Sequence, residues 1–184
     1  SLSSLSGIQY KHSLRDAAVI EVFFATGARV YEISNVRAEN INLNSGLIRI
    51  MGKGGKERYI QIASSEILEI LQKYYRHNSE AIKKSGFFFV NSRGHRYTEY
   101  SIRLMIKKYT QRAGIERNIT PHMFRHSFAT YLIEEGVDVS CVQQILGHSS
   151  IKTTQIYIHI AARKQAEILR EMHPRNGMNI IRAA

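Results

Sequence analysis

Apolar residues recur at helical spacing along most of this chain, and one stretch, Ile41 to Ile62, breaks the rule. That interruption constrains the fold more than any other feature. Ile41-Asn42-Leu43 alternates, Asn44-Ser45-Gly46 is turn chemistry, and Leu47-Ile48-Arg49-Ile50 follows. A second turn, Gly52-Lys53-Gly54-Gly55, leads into Tyr59-Ile60-Gln61-Ile62. Three short alternating runs joined by two tight turns predict a three-stranded antiparallel meander. Helices are expected on both sides of it. Leu14 to Thr26 carries apolar positions at helical spacing and stops at Gly27; Ser64 is placed to cap a helix whose Ile67, Leu68, Ile70, Leu71, Tyr74 and Tyr75 share a face. After the short apolar run Phe87 to Val90, helical patterns cover Glu99 to Ala113, Pro121 to Glu135, Val139 to Leu146 and Ile151 to Glu171, the last broken once near Ile160. The expected fold class is mainly α with a small three-stranded antiparallel β-sheet.

Only Pro121 and Pro174 occur in the 184 residues, so no proline-rich linker marks a domain boundary. Length and a 43% hydrophobic content suit a single domain with a real core. The expectation is one domain over residues 1–184, with a core of about 14–171 and a C-terminal tail of 172–184. No apolar run reaches the roughly 18 residues of a membrane span, and Ser1-Leu2-Ser3-Ser4 has no signal-peptide core. A single cysteine, Cys141, excludes an internal disulfide framework and makes the cytoplasm the default compartment.

Charge points to the partner. Lys and Arg number 26 against 15 Asp and Glu, a net charge of +11. Between Lys83 and Arg117 stand Lys83, Lys84, Arg93, Arg96, Arg103, Lys107, Lys108, Arg112 and Arg117, opposed only by Glu99 and Glu116. Tyr97, Tyr100 and Tyr109 lie among them. A one-sided excess with interleaved aromatics suits a phosphate-backbone surface better than a merely solvated helix face.

No single motif suffices. The pair His122-x-x-Arg125 recurs as His12-x-x-Arg15, and composition alone would supply roughly 0.7 such pairs in a chain like this. Context separates them: Thr120-Pro121 is an N-cap and first-turn signature, so His122 and Arg125 fall in the opening turns of a helix. Helical geometry sets His122, Arg125 and His126 on one side and Phe124, Phe128 and Tyr131 on the other. Gly52-Lys53-Gly54-Gly55-Lys56 fails as a P-loop, because Glu57 stands where Ser or Thr would bind magnesium. It leaves a lysine on a hairpin tip, able either to reach a phosphate or simply to be solvated. The sequon Asn118-Ile119-Thr120 has no secretory context, the histidines lack partners at metal-ligand spacing, and Cys141 reads as a core residue.

Four boxes in order then carry a resemblance. Thr26-Gly27-Ala28-Arg29-Val30-Tyr31-Glu32-Ile33 resembles the first-arginine box of tyrosine recombinases, and Gly52 to Arg58 their hairpin lysine motif. Thr120 to Thr130 is similar to their second box, with Phe124 in place of the usual Leu. Leu146-Gly147-His148-Ser149-Ser150, with Tyr157 nine residues beyond the histidine, resembles the box of the nucleophile. The likeness spans about Leu14 to Glu171 and is strongest to the Xer and phage or transposon integrase branch.

The resemblance implies the recombinase catalytic-domain fold, without the N-terminal core-binding domain that closes the family's clamp on DNA. It implies metal-free transesterification of double-stranded DNA with no cofactor. Tyr157 would attack the phosphate to give a 3′-phosphotyrosyl link, Arg29 and Arg125 would hold the non-bridging oxygens, and Lys53 would protonate the leaving 5′-oxygen. His122 would accept a proton or contact the phosphate, His148 would donate a hydrogen bond to it, and Glu32 would brace Arg29. A monomer alone and a tetramer on DNA are implied, with Met178, Ile180 and Ile181 of the tail docking on a neighbour. Taken singly, Arg29 suits capping of helix carbonyls as well as phosphate binding. A type IB topoisomerase shares the chemistry, and a non-cutting DNA-binding regulator or a structural nucleic-acid binder would share the basic surface. Covalent capture of nicked duplex DNA separates the enzymes from the binders.

Overall fold

The computed structural model describes residues 7–52, 55, 57–135, 137–147, 166–167 and 169–172. Helix α1 spans Gly7–Thr26, beginning a turn or two before the apolar repeat at Leu14, and the short α2 spans Val30–Asn35. A 3-10 turn, Ala38–Asn40, leads into strands β1 (Ile41–Asn42), β2 (Leu47–Met51) and β3 (Glu57–Gln61). They form the antiparallel meander in the order β1-β2-β3, with Ile48 opposite Ile60 and Ile50 opposite Arg58. The period of two turns Ile48, Ile50, Ile60 and Ile62 into the core, each at most 3% exposed. Arg58 is in phase with them, a cation on the inward face of a strand.

Helix α3 (Ser65–Ser85) starts where Ser64 accepts a hydrogen bond from the Ile67 N–H and ends at Gly86, left-handed at φ 73°. Its buried face, Ile67, Leu71, Tyr74 and Ile82, packs on α1. The apolar run after it makes no strand of its own: Phe87 and Val90 each form an isolated bridge, while Phe88 and Phe89 ring Tyr74 at 5.6 Å. The Tyr74 hydroxyl donates to the Phe88 carbonyl at 3.1 Å and accepts from the Val90 N–H at 2.9 Å. Helices α4 (Glu99–Arg112), α5 (Pro121–Glu134) and α6 (Val139–Leu146) follow, and residues 166–167 and 169–171 are also helical. Phe124 packs its ring against Phe23 and Phe24, so the core absorbs that departure from the family's usual Leu.

Two expectations are corrected by packing. Arg125 does not share the open face of α5 with His122 and His126; it lies on the buried face with Pro121, Phe128 and Leu132, only 8% exposed. Leu132 is seven residues on, almost two whole turns, so the two side chains are nearly in line. A cation tolerates that face because polar acceptors meet it there. The aromatic interleaving of the basic stretch also fails in part. Tyr97 and Tyr109 turn inward, their hydroxyls donating to the Asp16 carboxylate at 3.5 and 3.3 Å, and only Tyr100 stands open, at 70%.

Candidate active site

Three chain segments converge where α1 ends. Gly27 reverses the backbone at φ 56°, and a Cβ there would lie 2.7 Å from Leu146 and 2.8 Å from Phe128. Only glycine lets α1 turn so close to α5 and α6. The turn delivers Arg29 as the N-cap of α2, where its backbone N–H donates to Glu32 Oε2 at 2.6 Å. Glu32 thus caps the helix from its third position, and the Arg29 side chain remains 41% exposed. Among the described residues the Arg29 side chain caps no helix carbonyl.

Arg125 reaches the same turn from α5. Its Nη1 donates to the Gly27 carbonyl and its Nη2 to the Leu146 carbonyl, both at 2.8 Å. These oxygens terminate α1 and α6, where helix dipoles concentrate partial negative charge. Burial, then the charges of Arg29 and Arg58, lower the pKa of its guanidinium to about 10, while Glu32 opposes the shift. Three arginines are therefore gathered around one carboxylate.

Glu32 is 3% exposed and its first partner is Arg58, not Arg29. Arg58 Nη1 and Nη2 donate to Oε1 and Oε2 at 2.6 and 2.8 Å, against 3.3 Å for the side-chain contact from Arg29. Burial raises the Glu32 carboxyl, but the hydrogen bonds and charge of Arg58, then those of Arg29, outweigh it and hold it below its ordinary value. The bracing expected of Glu32 acts on Arg29 chiefly through the backbone. Arg58 closes the hairpin lysine motif, and that motif implies no role for it. The available signal was its register: Arg58, Ile60 and Ile62 alternate on the inward side.

His122 sits exposed in the first turn of α5, one turn before Arg125. Thr120 holds the N-cap position with extended backbone, although its side chain makes no capping bond. Lys53, His148 and Tyr157 lie outside the described residues, as do Met178, Ile180 and Ile181 of the tail and the helix break near Ile160. The site as described therefore joins Arg29, Arg125 and Arg58 around Glu32, with His122 at its helix start. Among the described residues no three of His, Cys, Asp or Glu gather as a metal site, and no helix is long and apolar enough to cross a membrane.

A helical frame around a three-stranded meander, with arginines from two boxes meeting at one turn, is the fold of tyrosine recombinase catalytic domains. The chain belongs to the phage integrase family, whose model matches residues 3–164. It is 46% identical over 171 residues to a tyrosine recombinase of Agathobacter rectalis, covering 93% of this chain and 56% of that protein. It is 37% identical over 161 residues to tyrosine recombinase XerC of Leptospira interrogans, covering 88% and 51%. Among solved structures it is similar to the XerA recombinase, with 32% identity and a TM-score of 0.69 over 94% of this chain and 62% of that one. Similarity extends to the XerH recombinase bound to its palindromic difH substrate in a post-cleavage complex, at 29% identity and a TM-score of 0.67, covering 88% of this chain and 48% of that one. The chain spans about half the length of the curated relatives it matches.

Proposed function

We propose that this chain is the catalytic unit of a site-specific recombinase, cutting and rejoining double-stranded DNA through a 3′-phosphotyrosyl intermediate. The observation that carries the reading is the arginine cluster: Arg125 held between two helix-terminal carbonyls, beside Arg29 and Arg58, around the carboxylate of Glu32. Like charges gathered at a partly buried turn repel one another, and a phosphate between them relieves that repulsion. Guanidinium groups suit the task because their planar forks match non-bridging phosphate oxygens.

In this reading the Tyr157 oxygen attacks phosphorus and its proton passes to His122. The bond from phosphorus to the 5′-oxygen breaks, and Lys53 gives that oxygen its proton. Arg29 and Arg125 neutralise the non-bridging oxygens in the crowded transition state, with a hydrogen bond from His148. One phosphoester replaces another, so the energy of the bond is retained. A 5′-hydroxyl of a second strand reverses the step without a nucleotide, metal or other cofactor.

One tyrosine per chain cuts one strand. Exchange between two duplexes involves four strands, so four copies assemble on the paired sites, while the protein alone is a monomer. Phosphate contacts along the duplex come from the open side of α4, where Arg103, Lys107, Lys108 and Arg112 are exposed beside Tyr100. The similarity to XerH, solved with its difH substrate before and after cleavage, supports DNA as the partner. The working compartment is the cytoplasm, on the nucleoid.

Covalent capture tests the reading. Incubation with suicide duplexes should yield a protein–DNA adduct that survives denaturing electrophoresis, and Tyr157→Phe should abolish it with little change in non-covalent affinity. Only a hydroxyl is lost in that variant, whereas phosphate contacts supply most of the binding. An adduct formed by the Phe variant removes Tyr157 from the role; no adduct from the unaltered chain leaves a DNA binder.

A further inference from the structure

Glu32 presents a difficulty for the site. Its carboxylate is nearly buried and lies 3.3 Å from the side chain of Arg29, whose charge the proposed reaction needs for phosphate. Left to itself, a buried carboxylate draws in the nearest guanidinium, because an unpaired buried charge is costly. Arg29 would then be folded back onto Glu32 in a bidentate pair and its charge would be cancelled.

Arg58 prevents this by geometry. It comes from β3 on the inward face, opposite Ile50, and gives both terminal nitrogens to the two oxygens of Glu32. Its side chain is 11% exposed, so it cannot itself reach out to DNA in this arrangement. Its Nε is buried with no hydrogen-bond partner among the described residues, beside Gly147, where a Cβ would lie 3.3 Å away. A bare Gly147 thus leaves room for the stem of Arg58, and the tight packing fixes the fork on Glu32.

We propose that Arg58 is a positioning residue that occupies Glu32 so that the Arg29 guanidinium stays available to phosphate. The assignment rests on the reaction proposed above. Glu32 keeps its backbone duty, capping α2 through the Arg29 N–H, and holds the Arg29 side chain by one 3.3 Å contact instead of a bidentate pair. Loss of Arg58 should therefore resemble loss of Arg29, and removing the charge of Glu32 as well should restore function. Gln at position 32 retains an oxygen to accept from the Arg29 N–H, so the helix cap survives.

The test uses paired suicide duplexes that differ only at the scissile linkage, one a phosphodiester and the other a methylphosphonate. Their sequence is selected by the unaltered chain from a randomised duplex pool through covalent capture. A methylphosphonate lacks the charged oxygen, so it needs less neutralisation and forgives the loss of Arg29. Arg58→Met should slow attachment to the phosphodiester by about 100-fold, the loss also expected of Arg29→Ala, and attachment to the methylphosphonate by less than about 10-fold. Arg58→Met with Glu32→Gln should return the phosphodiester rate to within about 10-fold of the unaltered chain.

Equal losses on both duplexes would show a general structural defect and overturn the proposal. If Arg58→Met alone does not fold, the double variant decides, since it removes both charges of the Glu32–Arg58 pair. A double variant as slow as Arg29→Ala on the phosphodiester also overturns the proposal. Absence of any adduct from the unaltered chain brings down the reaction and this assignment together, whereas the other failures bring down the assignment alone.

Discussion

Gly27→Ala should cost stability twice, through the backbone and through packing, and the two causes can be separated. At φ 56° a β-carbon costs about 1–2 kcal/mol, because left-handed backbone brings it against the carbonyl oxygen. The same atom would lie 2.7 Å from Leu146 Cδ2 and 2.8 Å from Phe128 Cδ1, closer than carbon atoms pack. Phe128 is 1% exposed and Leu146 4%, so neither has open space to retreat into, and overpacking adds about 1–3 kcal/mol. The loss is then about 2–5 kcal/mol, a large part of the 5–15 kcal/mol that usually holds a domain together. At roughly 2–4 °C per kcal/mol for a chain of this size, Tm falls by roughly 4–20 °C. Gly114→Ala is the control, with φ 66° and nothing within 4 Å of its new Cβ. It carries the backbone cost alone. Urea unfolding of the two variants should differ by about 1–3 kcal/mol, the packing contribution. A difference below about 0.5 kcal/mol would refute the claim that α1 turns against α5 and α6 only because position 27 lacks a side chain.

Tyr74→Phe keeps the ring but removes the hydroxyl that serves the Phe88 carbonyl and the Val90 N–H, and should cost about 1–3 kcal/mol by urea unfolding, since the Val90 donor is left buried without its acceptor. A loss under about 0.5 kcal/mol would mean that the segment finds another partner. Acid should destabilise the fold in part through Glu32. Its folded pKa is below 4.5, so its stabilisation is present above that value and is lost as pH falls through the lower folded one. Glu32→Gln should accordingly flatten the dependence of stability on pH below about 4.5, and an unchanged slope would remove Glu32 from the acid response.

Much of the architecture was legible along the chain because its causes are local. The meander follows from alternation and two turns, and the start of α3 from Ser64. The first and second arginine boxes were legible as motifs, and the fold brings Arg29 and Arg125 to the same turn. Periodicity misled where a polar group is buried. Arg125 reads as part of a polar face, yet it points inward because two helix-terminal carbonyls wait there, and neither belongs to its own helix. Tyr97 and Tyr109 read as surface aromatics until Asp16, more than eighty residues earlier in the chain, draws their hydroxyls inward.

The sequence by itself determined which residues are available: helical periodicity, strand alternation, the glycine stop at Gly27, and a basic excess. Only the tertiary structure decided which cation answers which anion. Glu32 is three residues from Arg29 and 26 from Arg58, so sequence distance favours the first pairing, yet the closer and bidentate contact goes to Arg58. Backbone periodicity governs neighbours within a few residues, whereas charges are paired by distance in space and by burial. Those are fixed only when the fold brings Arg58 of β3 to Glu32 of α2 and excludes water from the pair.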